Sequence, residues 1–337
     1  MPLKISVIIP SFNQGRFIEE TILSILNQND PAFEVIVIDG ASTDNTIEII
    51  KNYQSKLTYW ISESDSGQSD AINKGFKIAS GDIVTWLGSD DMFQPGSLKR
   101  VREEFEYADA KIGVVFGSTE IFANAGQLHI DNGSRIQNTE RRLSGMTFSQ
   151  PSSFIRKKYL DLVGAVNTEL HYGMDFDLFA RLSVVCEFKK TDFCFSKYRV
   201  HDASKSGAEF SKFANEWMRV FTSIAIGLSA DHAISELKRL DLFAQPLAVT
   251  VNFFKMHGSL SKLDEELMVF FFISNIFFHS YLSGNFIQAR ILARHLSVNY
   301  IDKLRLLPEY NLVLKRSLSY SPVLLRVARK LKNSLTS

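Results

Sequence analysis

The first 91 residues alternate short apolar runs with segments in which apolar side chains recur at helical spacing. Four continuous, largely apolar runs predict β-strands, and Pro10 is expected to end the first; they are Ile5–Ile9, Glu34–Ile38, Leu57–Ile61 and Ile83–Leu87. Between them, spacings such as that of Ile18, Ile22 and Ile25 predict amphipathic helices. Strands that alternate with helices in this way predict a mainly parallel sheet flanked by helices on both faces.

Polar side chains follow each of the four predicted strands. Ligands of such sheets bind beyond the carboxyl ends of the strands, so these side chains are expected to share one rim. A single aspartate at a strand end is typical of a turn or a helix cap, whereas polar groups after four successive strands favour a ligand site. The residues delivered to the rim are Ser11, Asn13, Asp39, Glu63, Asp65, Ser89, Asp90 and Asp91.

Asp90 and Asp91 carry the most specific chemical signal on this rim. Two adjacent carboxylates repel each other, so a chain that keeps them side by side at a strand end favours a bound cation. Hard divalent cations take oxygen ligands of this kind and commonly accompany phosphate groups. The pair therefore predicts a metal ion and a phosphate-bearing ligand.

Composition narrows the class of protein. The 337 residues suffice for two domains, and a hydrophobic content of 45% is ordinary for a soluble globular chain. A net charge of +1 gives no case for a nucleic-acid partner. Cys186 and Cys194 lack the spacing of a metal site or a disulfide framework, and no signal peptide is visible, so a cytoplasmic location is expected. The longest apolar stretch, Leu267 to Phe278, is too short for a membrane span.

Four segments in the first three-fifths of the chain together resemble family 2 glycosyltransferases of the GT-A fold. They are Val7–Asn13, Val37–Asp44, Ser66–Gly75 and Gly88–Asp91, and the resemblance extends to about Ser206. It implies a GT-A sheet that binds a nucleotide-diphosphate sugar, commonly a UDP-sugar, with Mg²⁺ or Mn²⁺ as cofactor. It also implies transfer of that sugar to a saccharide or lipid-linked saccharide acceptor, as in cell-surface polysaccharide synthesis.

The resemblance assigns the donor nucleotide to residues at the strand ends. It implies that Asp39 accepts a hydrogen bond from the base, and an ionised carboxylate is a strong acceptor for a uracil imide N–H. It also implies that the segment from Asp65 to Lys74 lies under the ribose and diphosphate, although Lys74 alternatively fits a solvated helix charge. The implied nucleotide-binding residues are Pro10, Phe12, Asn13, Asp39, Asp65, Asp70, Lys74 and Asp90.

The metal site follows from the match of Asp90 and Asp91 to the family's acidic motif, whose first position is Ser89 here. The match implies that Asp90 faces the ribose and that Asp91 binds the ion bridging the diphosphate oxygens. His201 is expected to complete the metal site or to lie over the diphosphate, and as a ligand it would favour Mn²⁺ over Mg²⁺. The alternative for His201 is an ordinary loop histidine, and Arg199 is expected to neutralise phosphate.

The segment Tyr172–Arg181 resembles the family's acidic motif at the start of a helix, with Met174 in place of the commoner Glu. The resemblance implies that Asp175 is the catalytic base. An inverting displacement needs one carboxylate that takes the proton of the acceptor hydroxyl as its oxygen attacks the anomeric carbon. Asp177 is the alternative base, although its spacing from Arg181 favours an ion pair along the helix.

Three further segments complete the expected organisation. Gln150 lies in a stretch that resembles the sugar and acceptor pocket, to which Arg199 is also assigned, and the polar stretch from Asn124 to Arg142 predicts a loop over the site or an irregular ribbon. Helical patterns dominate after Phe210, so a GT-A catalytic domain over residues 1–209 and an α-helical region over 210–337 are expected.

The tail over residues 315–332 combines Lys and Arg with apolar side chains and predicts contact with the inner face of an anionic membrane. Basic residues near a helix C-terminus would alternatively complement the helix dipole.

Two other functions compete with that of a metal-dependent, inverting glycosyltransferase. A dinucleotide-dependent oxidoreductase would use Asp39 on a ribose hydroxyl, but the segment Pro10–Gly15 lacks the close-set glycines of a pyrophosphate-binding turn. A catalytically inactive scaffold or binding protein would have no need of Asp39, Asp90, Asp91 and Asp175. The sequence therefore favours the enzyme.

Overall fold

The computed structural model describes residues 2–28, 30, 32–123, 126–202 and 210–336. The chain divides into two compact units, which we call the N-terminal unit (Met1–Gln137 with Met146–Ala208) and the C-terminal unit (Asn138–Gly145 with Glu209–Ser337). The predicted domain boundary after residue 209 lies outside the described residues.

Strands and helices alternate along the N-terminal unit, as the apolar pattern predicted. Its strands are β1 (Ile5–Ser11), β2 (Phe33–Asp39), β3 (Tyr59–Ser62), β4 (Ile83–Trp86), β5 (Met92–Phe93), β6 (Ile112–Ala123), β7 (Gly126–Asp131), β8 (Ser153–Arg156) and β9 (Glu187–Arg199). The helices up to β9, of which α5 belongs to the C-terminal unit, are α1 (Ile18–Leu26), α2 (Thr46–Tyr53), α3 (Gln68–Ile78), α4 (Ser97–Glu106), α5 (Thr139–Arg142), α6 (Lys157–Val163) and α7 (Met174–Leu182).

All nine strands form one sheet with the order β3-β2-β1-β4-β8-β6-β9-β5, and β7 pairs with β6. The first four are mutually parallel, as predicted from their apolar runs. The other half is mixed, because β8 is antiparallel to both β4 and β6 while β6 and β9 run parallel. Within the stretch from Asn124 to Arg142, Gly126–Asp131 form an antiparallel ribbon with β6, as the ribbon alternative predicted, whereas Thr139–Arg142 form α5.

Pro10 does not end the first strand, because β1 continues through Ser11. The amide of Leu87 donates to the carbonyl of Ile8 at 2.9 Å, so alternate residues of β1 direct their backbone groups toward β4. Pro10 shares this direction, and β4 ends at Trp86. The N–H that proline lacks would therefore point beyond the end of β4, where the sheet loses no ladder bond.

The core of the N-terminal unit explains why the strand ends are held in place. Side chains of β1, β2 and β4 pack against one face of α1, α2 and α4 in a single hydrophobic cluster. Its fully buried residues include Val7, Ile9, Ile22, Val37, Ile50, Ile83, Leu98 and Val101. On the opposite face α3 lies very close to β1, since a Cβ added at Gly75 would meet Ile8 Cγ2 at 2.4 Å. Close-packed interiors of this kind position the carboxyl ends of the strands rigidly.

The described part of the C-terminal unit is helical, as the sequence predicted after Phe210. Its helices after β9 are α8 (Phe210–Leu228), α9 (Asp231–Arg239), α10 (Ala248–His257), α11 (Glu265–Ser283), α12 (Phe286–Asn299), α13 (Asn311–Ser319) and α14 (Pro322–Thr336). Short 3-10 turns cover Leu260–Lys262, Ile301–Leu306 and Pro308–Tyr310.

Helix α11 is the core helix of this unit. It is longer than the apolar stretch predicted from the sequence, and among the described residues it is the one helix that is long and apolar enough to cross a membrane. However, 61% of its most apolar 18-residue segment is buried inside the protein, and a buried core helix has the same length and composition. Gly284, at φ 84°, ends α11 in the left-handed conformation that favours glycine and leads into α12.

The short segment Asn138–Gly145 belongs to the C-terminal unit although it lies between β7 and β8 in the chain. The Ser144 hydroxyl donates to the carbonyl of Met268 at 2.8 Å, and the Asn275 amide donates to the carbonyl of Ser144 at 2.8 Å. Arg141 lies over the ring of Phe271, 5.5 Å from its centroid. Tertiary contacts therefore define this segment, and the local sequence pattern gave no sign of it.

His279, buried on α11, should make the stability of the C-terminal unit depend on pH. Burial, assisted by the positive charge of Arg141, lowers the pKa of His279 from 6.5 to about 4. The folded protein disfavours the charged ring. The contribution of neutral His279 to the free energy of unfolding is therefore fully present above about pH 6.5. It is lost as the pH falls toward about 4, at a cost of up to about 3 kcal/mol. We expect His279→Phe to reduce the loss of unfolding free energy between about pH 7 and about pH 4, measured by urea denaturation. His257→Phe, at an exposed position, is the control, and an equal effect of both variants would contradict the prediction.

Candidate active site

Asp39, at the end of β2, is fully buried at the centre of a serine cluster. Its carboxylate accepts hydrogen bonds from the Ser42 amide at 2.9 Å, the Ser42 hydroxyl at 2.5 Å and the Ser62 hydroxyl at 2.6 Å. An ionised carboxylate offers about four acceptor positions. The three serine-donated bonds fix the orientation of the group and leave acceptor capacity for a further donor, such as the imide N–H of a base.

Asn13 ties the turn after β1 to the turn after β2. It adopts a left-handed conformation, with φ 52°, that asparagine tolerates better than most residues. Its side-chain Oδ1 accepts a hydrogen bond from the Thr43 backbone amide at 2.8 Å, and its backbone amide donates to the Ser42 hydroxyl at 2.7 Å. The structure therefore gives Asn13 a framework role in holding the loop around Asp39.

The other residues at the end of β1 differ in exposure. Pro10 is buried, whereas the side chain of Phe12 is 59% exposed and is available to stack on a planar ligand. Ser11 lies opposite Asp39 in the parallel register, and its buried hydroxyl has no hydrogen-bond partner among the described residues. Because a buried hydroxyl without a partner is costly, Ser11 is a further candidate for contact with a ligand.

Asp65 approaches the turn that follows Asp39. A Cβ added at Gly40 would lie 2.7 Å from Asp65 Oδ2, so the absence of a side chain at residue 40 makes room for this carboxylate. The other oxygen of Asp65 accepts from the Gly67 amide at 2.8 Å. The structure thus brings Asp39 and Asp65 to the same part of the rim, as predicted.

Asp70 and Lys74 lie one helical turn apart on α3. The Lys74 ammonium is 2.8 Å from Glu63 Oε1 and 3.6 Å from Asp70 Oδ2, and the hydrogen bond to Glu63 raises the pKa of Lys74. The Ser66 amide donates to Asp70 at 3.2 Å. Both side chains are half-buried beside the loop that carries Asp65, so Lys74 is an ion-paired cation at the rim.

The carboxylates of Asp90 and Asp91 converge over Gly88. A Cβ added at Gly88 would lie 2.8 Å from Asp90 Oδ1 and 2.9 Å from Asp91 Oδ2, so both oxygens border the space that a side chain would fill. Burial raises the pKa of Asp91 well above its usual value, the charge of Asp90 raises it further, and a hydrogen bond from the Arg199 amide opposes the shift. The site therefore contains a concentration of negative charge that a cation would relieve.

Arg199 and His201, at the end of β9, border the same pair of carboxylates. The Arg199 amide donates to Asp91 Oδ1 at 3.0 Å and its Nε donates to the Asp90 carbonyl at 3.0 Å. The guanidinium also pairs with Glu20 at 2.7 Å. His201 Nε2 lies 2.9 Å from Asp90 Oδ2, so the histidine is within the predicted metal site and contacts Asp90 directly.

Phe17 supports both of these side chains through its ring. The Arg199 guanidinium lies over the rings of Phe17 and Phe122, at 4.8 Å and 4.7 Å from their centroids. The ring of His201 lies 4.7 Å from that of Phe17. Sequence reasoning did not identify Phe17, Phe122 or Glu20, because an aromatic or acidic residue in a helix or strand gives no motif signal of its own.

Asp175 lies in the first turn of α7, half-buried, and its carboxylate accepts a hydrogen bond from the Phe176 amide at 2.7 Å. The start of α7 is held against the start of α3, since the Ser69 hydroxyl contacts the Leu170 carbonyl at 2.8 Å and Met174 Sδ at 2.9 Å. This contact brings Asp175 next to the helix that carries Asp70 and Lys74.

Asp177 has a different environment although it lies only two residues further along α7. It is fully buried, and its carboxylate pairs with Arg181 at 2.7 Å, as the helical spacing predicted. The Arg181 guanidinium also donates to the carbonyls of Val163, Gly164 and Ala165. Asp177 therefore stabilises the packing of α7, which favours Asp175 as the base.

Gln150 lies beside the end of β4, and its side-chain amide donates a hydrogen bond to the Trp86 carbonyl at 2.9 Å. It begins a 3-10 turn over Gln150–Ser152 that leads into β8. The residue is half-buried, so it borders the rim beside the loop of Asp90 and Asp91.

Comparison with known proteins identifies the N-terminal half of the chain. The sequence profile described as "Glycosyl transferase family 2" matches residues 6–164. An uncharacterized glycosyltransferase of Nostoc sp. is 35% identical over 116 residues, which are 34% of this chain and 36% of that protein. Chondroitin synthase of Escherichia coli is 27% identical over 189 residues, which are 55% of this chain and 27% of that protein. The match thus covers little more than a third of the first relative and little more than a quarter of the second.

A crystal structure of S. aureus TarS 1-349 in complex with UDP-GlcNAc shares the fold, with a TM-score of 0.54 and 21% sequence identity over 82% of this chain and 81% of that chain. This likeness and the observed sheet confirm the predicted α/β fold with a helical C-terminal region. The matched residues 6–164 include β1 to β4 and the rim with Asp39, Asp65, Asp90 and Asp91. Residues 6–164 therefore match glycosyltransferase family 2, and the chain has a GT-A fold.

Proposed function

We propose that the chain is a metal-dependent, inverting glycosyltransferase that moves a sugar from a UDP-sugar to a saccharide acceptor. The observation that carries the proposal is the convergence of the Asp90 and Asp91 carboxylates over Gly88, on the rim that also holds Asp39. A buried Asp91 beside a half-buried Asp90 fits a cation next to a diphosphate, and the remaining acceptor capacity of Asp39 fits the imide N–H of uracil. The UDP-GlcNAc bound to the structural neighbour TarS supports this choice of donor.

The donor atoms at Gly88 fit Mg²⁺ or Mn²⁺ with a diphosphate as co-ligand. No group of three or more His, Cys, Asp or Glu side chains suited to a metal ion occurs in the part of the chain that the structure describes. Asp91, with Asp90 beside it, therefore supplies carboxylate oxygen, and donor phosphate and water would complete the coordination. When bound, the ion supplies neutralisation of the charge that develops on the departing nucleoside diphosphate.

The protein's own residues bind and orient the two substrates. Asp39 and Phe12 hold the base, and Asp90 faces the ribose with His201 fixing its carboxylate. Arg199 adds positive charge beside the diphosphate, although its pairing with Glu20 moderates that charge. Asp175 takes the proton from the acceptor hydroxyl while that oxygen bonds to the anomeric carbon and the bond to the diphosphate breaks. One base suffices for such a single displacement, which inverts the anomeric configuration.

The acceptor class is a saccharide or a lipid-linked saccharide, as used in cell-surface polysaccharide synthesis. The E. coli relative is named a chondroitin synthase, and S. aureus TarS is named a poly(ribitol-phosphate) β-N-acetylglucosaminyltransferase. Both names describe enzymes that modify or build polymers. Gln150, which borders the rim, is the residue proposed to contact the donor sugar.

A panel of nucleotide sugars tests the proposal. The purified chain is incubated with UDP-, GDP- and TDP-sugars, with and without Mn²⁺ or Mg²⁺, and release of the nucleoside diphosphate is measured. We expect hydrolysis or transfer with at least one UDP-sugar that depends on the added metal. The anomeric configuration of the product, read by NMR, should be opposite to that of the donor. Failure of every nucleotide sugar to bind in the presence of metal would overturn the proposal, and retention of configuration would remove the role of Asp175.

A further inference from the structure

The C-terminal unit exposes an aliphatic stripe on α12. Ile287, Ile291 and Val298 are 54%, 53% and 77% exposed, and their spacing of four and seven residues places them on one face of the helix. The opposite face carries Ala289, Leu292 and Leu296, which are buried in the unit. Core packing therefore accounts for one side of α12 and leaves the aliphatic stripe facing solvent.

Helix α14 exposes a second group of aliphatic side chains. Val323, Leu324 and Val327 are 68%, 54% and 50% exposed, and they also cluster on one side of their helix. Helix α14 contacts α12 directly. Arg329 lies beside Gly284 just before α12, and Arg290 donates to the Tyr320 carbonyl at 3.2 Å just before α14. The segment of α12 that carries Ile287 thus runs alongside the segment of α14 that carries the exposed residues.

The charge of these helices is entirely of one sign. Helices α12, α13 and α14 contain no Asp or Glu, whereas the whole chain has a net charge of only +1. Their basic residues are Arg290, Arg294, Lys315, Arg316, Arg326, Arg329, Lys330 and Lys332. Within the described residues, Lys315, Arg316 and Arg326 are exposed and make no ion pair with an acidic side chain. A basic surface that also exposes aliphatic side chains complements a partner that has negative charge at its surface and an apolar layer below that charge.

We propose that α12 and α14 form a docking surface for an anionic lipid bilayer, with Ile287, Ile291, Val323, Leu324 and Val327 entering the headgroup region. Each Lys or Arg near such a surface adds electrostatic attraction, and each aliphatic side chain that enters the headgroup region adds burial of apolar surface. An acidic protein partner is the less suitable occupant, because the exposed side chains are aliphatic and lie on two convex helices, with little of the aromatic content typical of protein interfaces. The surface would hold the enzyme at the membrane.

Co-sedimentation with vesicles tests the docking surface independently of sugar transfer, since no donor is present. The 337-residue chain should bind phosphatidylcholine vesicles that contain phosphatidylglycerol, bind pure phosphatidylcholine vesicles much more weakly, and lose binding as salt rises. The triple variant Val323→Ser, Leu324→Gln, Val327→Ser and the double variant Arg326→Gln, Arg329→Gln should each reduce binding at least about tenfold, because each removes more than about 1.4 kcal/mol of attraction.

The matched control is Leu128→Ser, Ile130→Ser on β7, which removes two aliphatic side chains that are 55% and 46% exposed in the N-terminal unit. It should leave vesicle binding unchanged. Melting temperatures of all variants should equal that of the wild type, because every substituted residue is exposed. Equal binding to neutral and anionic vesicles, or full binding by both α14 variants, would overturn the proposal. Binding to an immobilised acidic polypeptide but to no vesicle would likewise overturn it and favour a protein partner.

Discussion

Replacing Asp91 by Asn is expected to lower the rate of sugar transfer by at least about 10²-fold, since a catalytic cation contributes several kcal/mol of transition-state stabilisation. Folding should survive the change. Burial and the neighbouring charge of Asp90 already raise the pKa of Asp91, so a neutral side chain of the same shape removes an unfavourable charge from the unliganded protein. The Asn Oδ1 can still accept the hydrogen bond from the Arg199 amide.

The measurement compares steady-state transfer and melting temperature with and without Mn²⁺. Wild-type protein should gain thermal stability from the metal together with UDP, whereas Asp91→Asn should gain little because ligand binding stabilises only a competent site. Full biological activity of Asp91→Asn would instead favour an inactive scaffold.

Glu34→Gln is a matched control at the opposite end of the sheet. Burial there favours the neutral form of Glu34, but hydrogen bonds from Lys4, Ser6 and Ser80 outweigh it and lower the pKa of Glu34 to about 2. This carboxylate stabilises the fold in its charged form, in contrast to Asp91. Glu34→Gln should therefore lower the melting temperature and leave the metal dependence of transfer unchanged.

The half of the sheet that contains β1 to β4 could be predicted from the sequence, because it is built from alternating strands and helices. Each of β1 to β4 is a continuous apolar run followed by an amphipathic helix or a polar loop, so its position followed from periodicity and topology. The same topology placed Asp39, Asp65, Asp90 and Asp91 on one rim, where the structure has them. The position of these acidic residues at strand ends was therefore sufficient to predict that they lie together.

Features that depend on distant contacts could not be predicted in this way. The three hydrogen bonds to Asp39 need Ser42, in the loop after β2, and Ser62, at the end of β3, and serine at such positions is too common to be informative. Arg199 was expected at the phosphate because of its charge, but its place between Phe17 and Phe122 depends on the pairing of β9 with β6. Segment Asn138–Gly145 joins the helical unit through Ser144 and Arg141, and no periodicity extends over so short a stretch.

A pair of substitutions two residues apart on α7 should separate catalysis from folding. Asp175→Asn is expected to reduce kcat by about 10²–10⁴-fold, the usual contribution of a general base, with little change in KM for the donor. Its side chain is half-buried, so Asn in its place should leave the melting temperature near that of the wild type. The pH dependence of kcat should also lose the limb that reports protonation of the base.

Asp177→Asn should have the opposite profile. Asp177 and Arg181 are both fully buried, and removal of the carboxylate charge leaves the Arg181 guanidinium without its counter-ion. Breaking a buried pair of this kind costs about 3–5 kcal/mol, so the free energy of unfolding should fall by about that amount while the folded fraction retains its kcat. The measurements are chemical denaturation and transfer rates normalised to folded protein. If Asp177→Asn abolished kcat in folded protein while Asp175→Asn left it intact, Asp177 would be the base and the proposed role of Asp175 would be wrong.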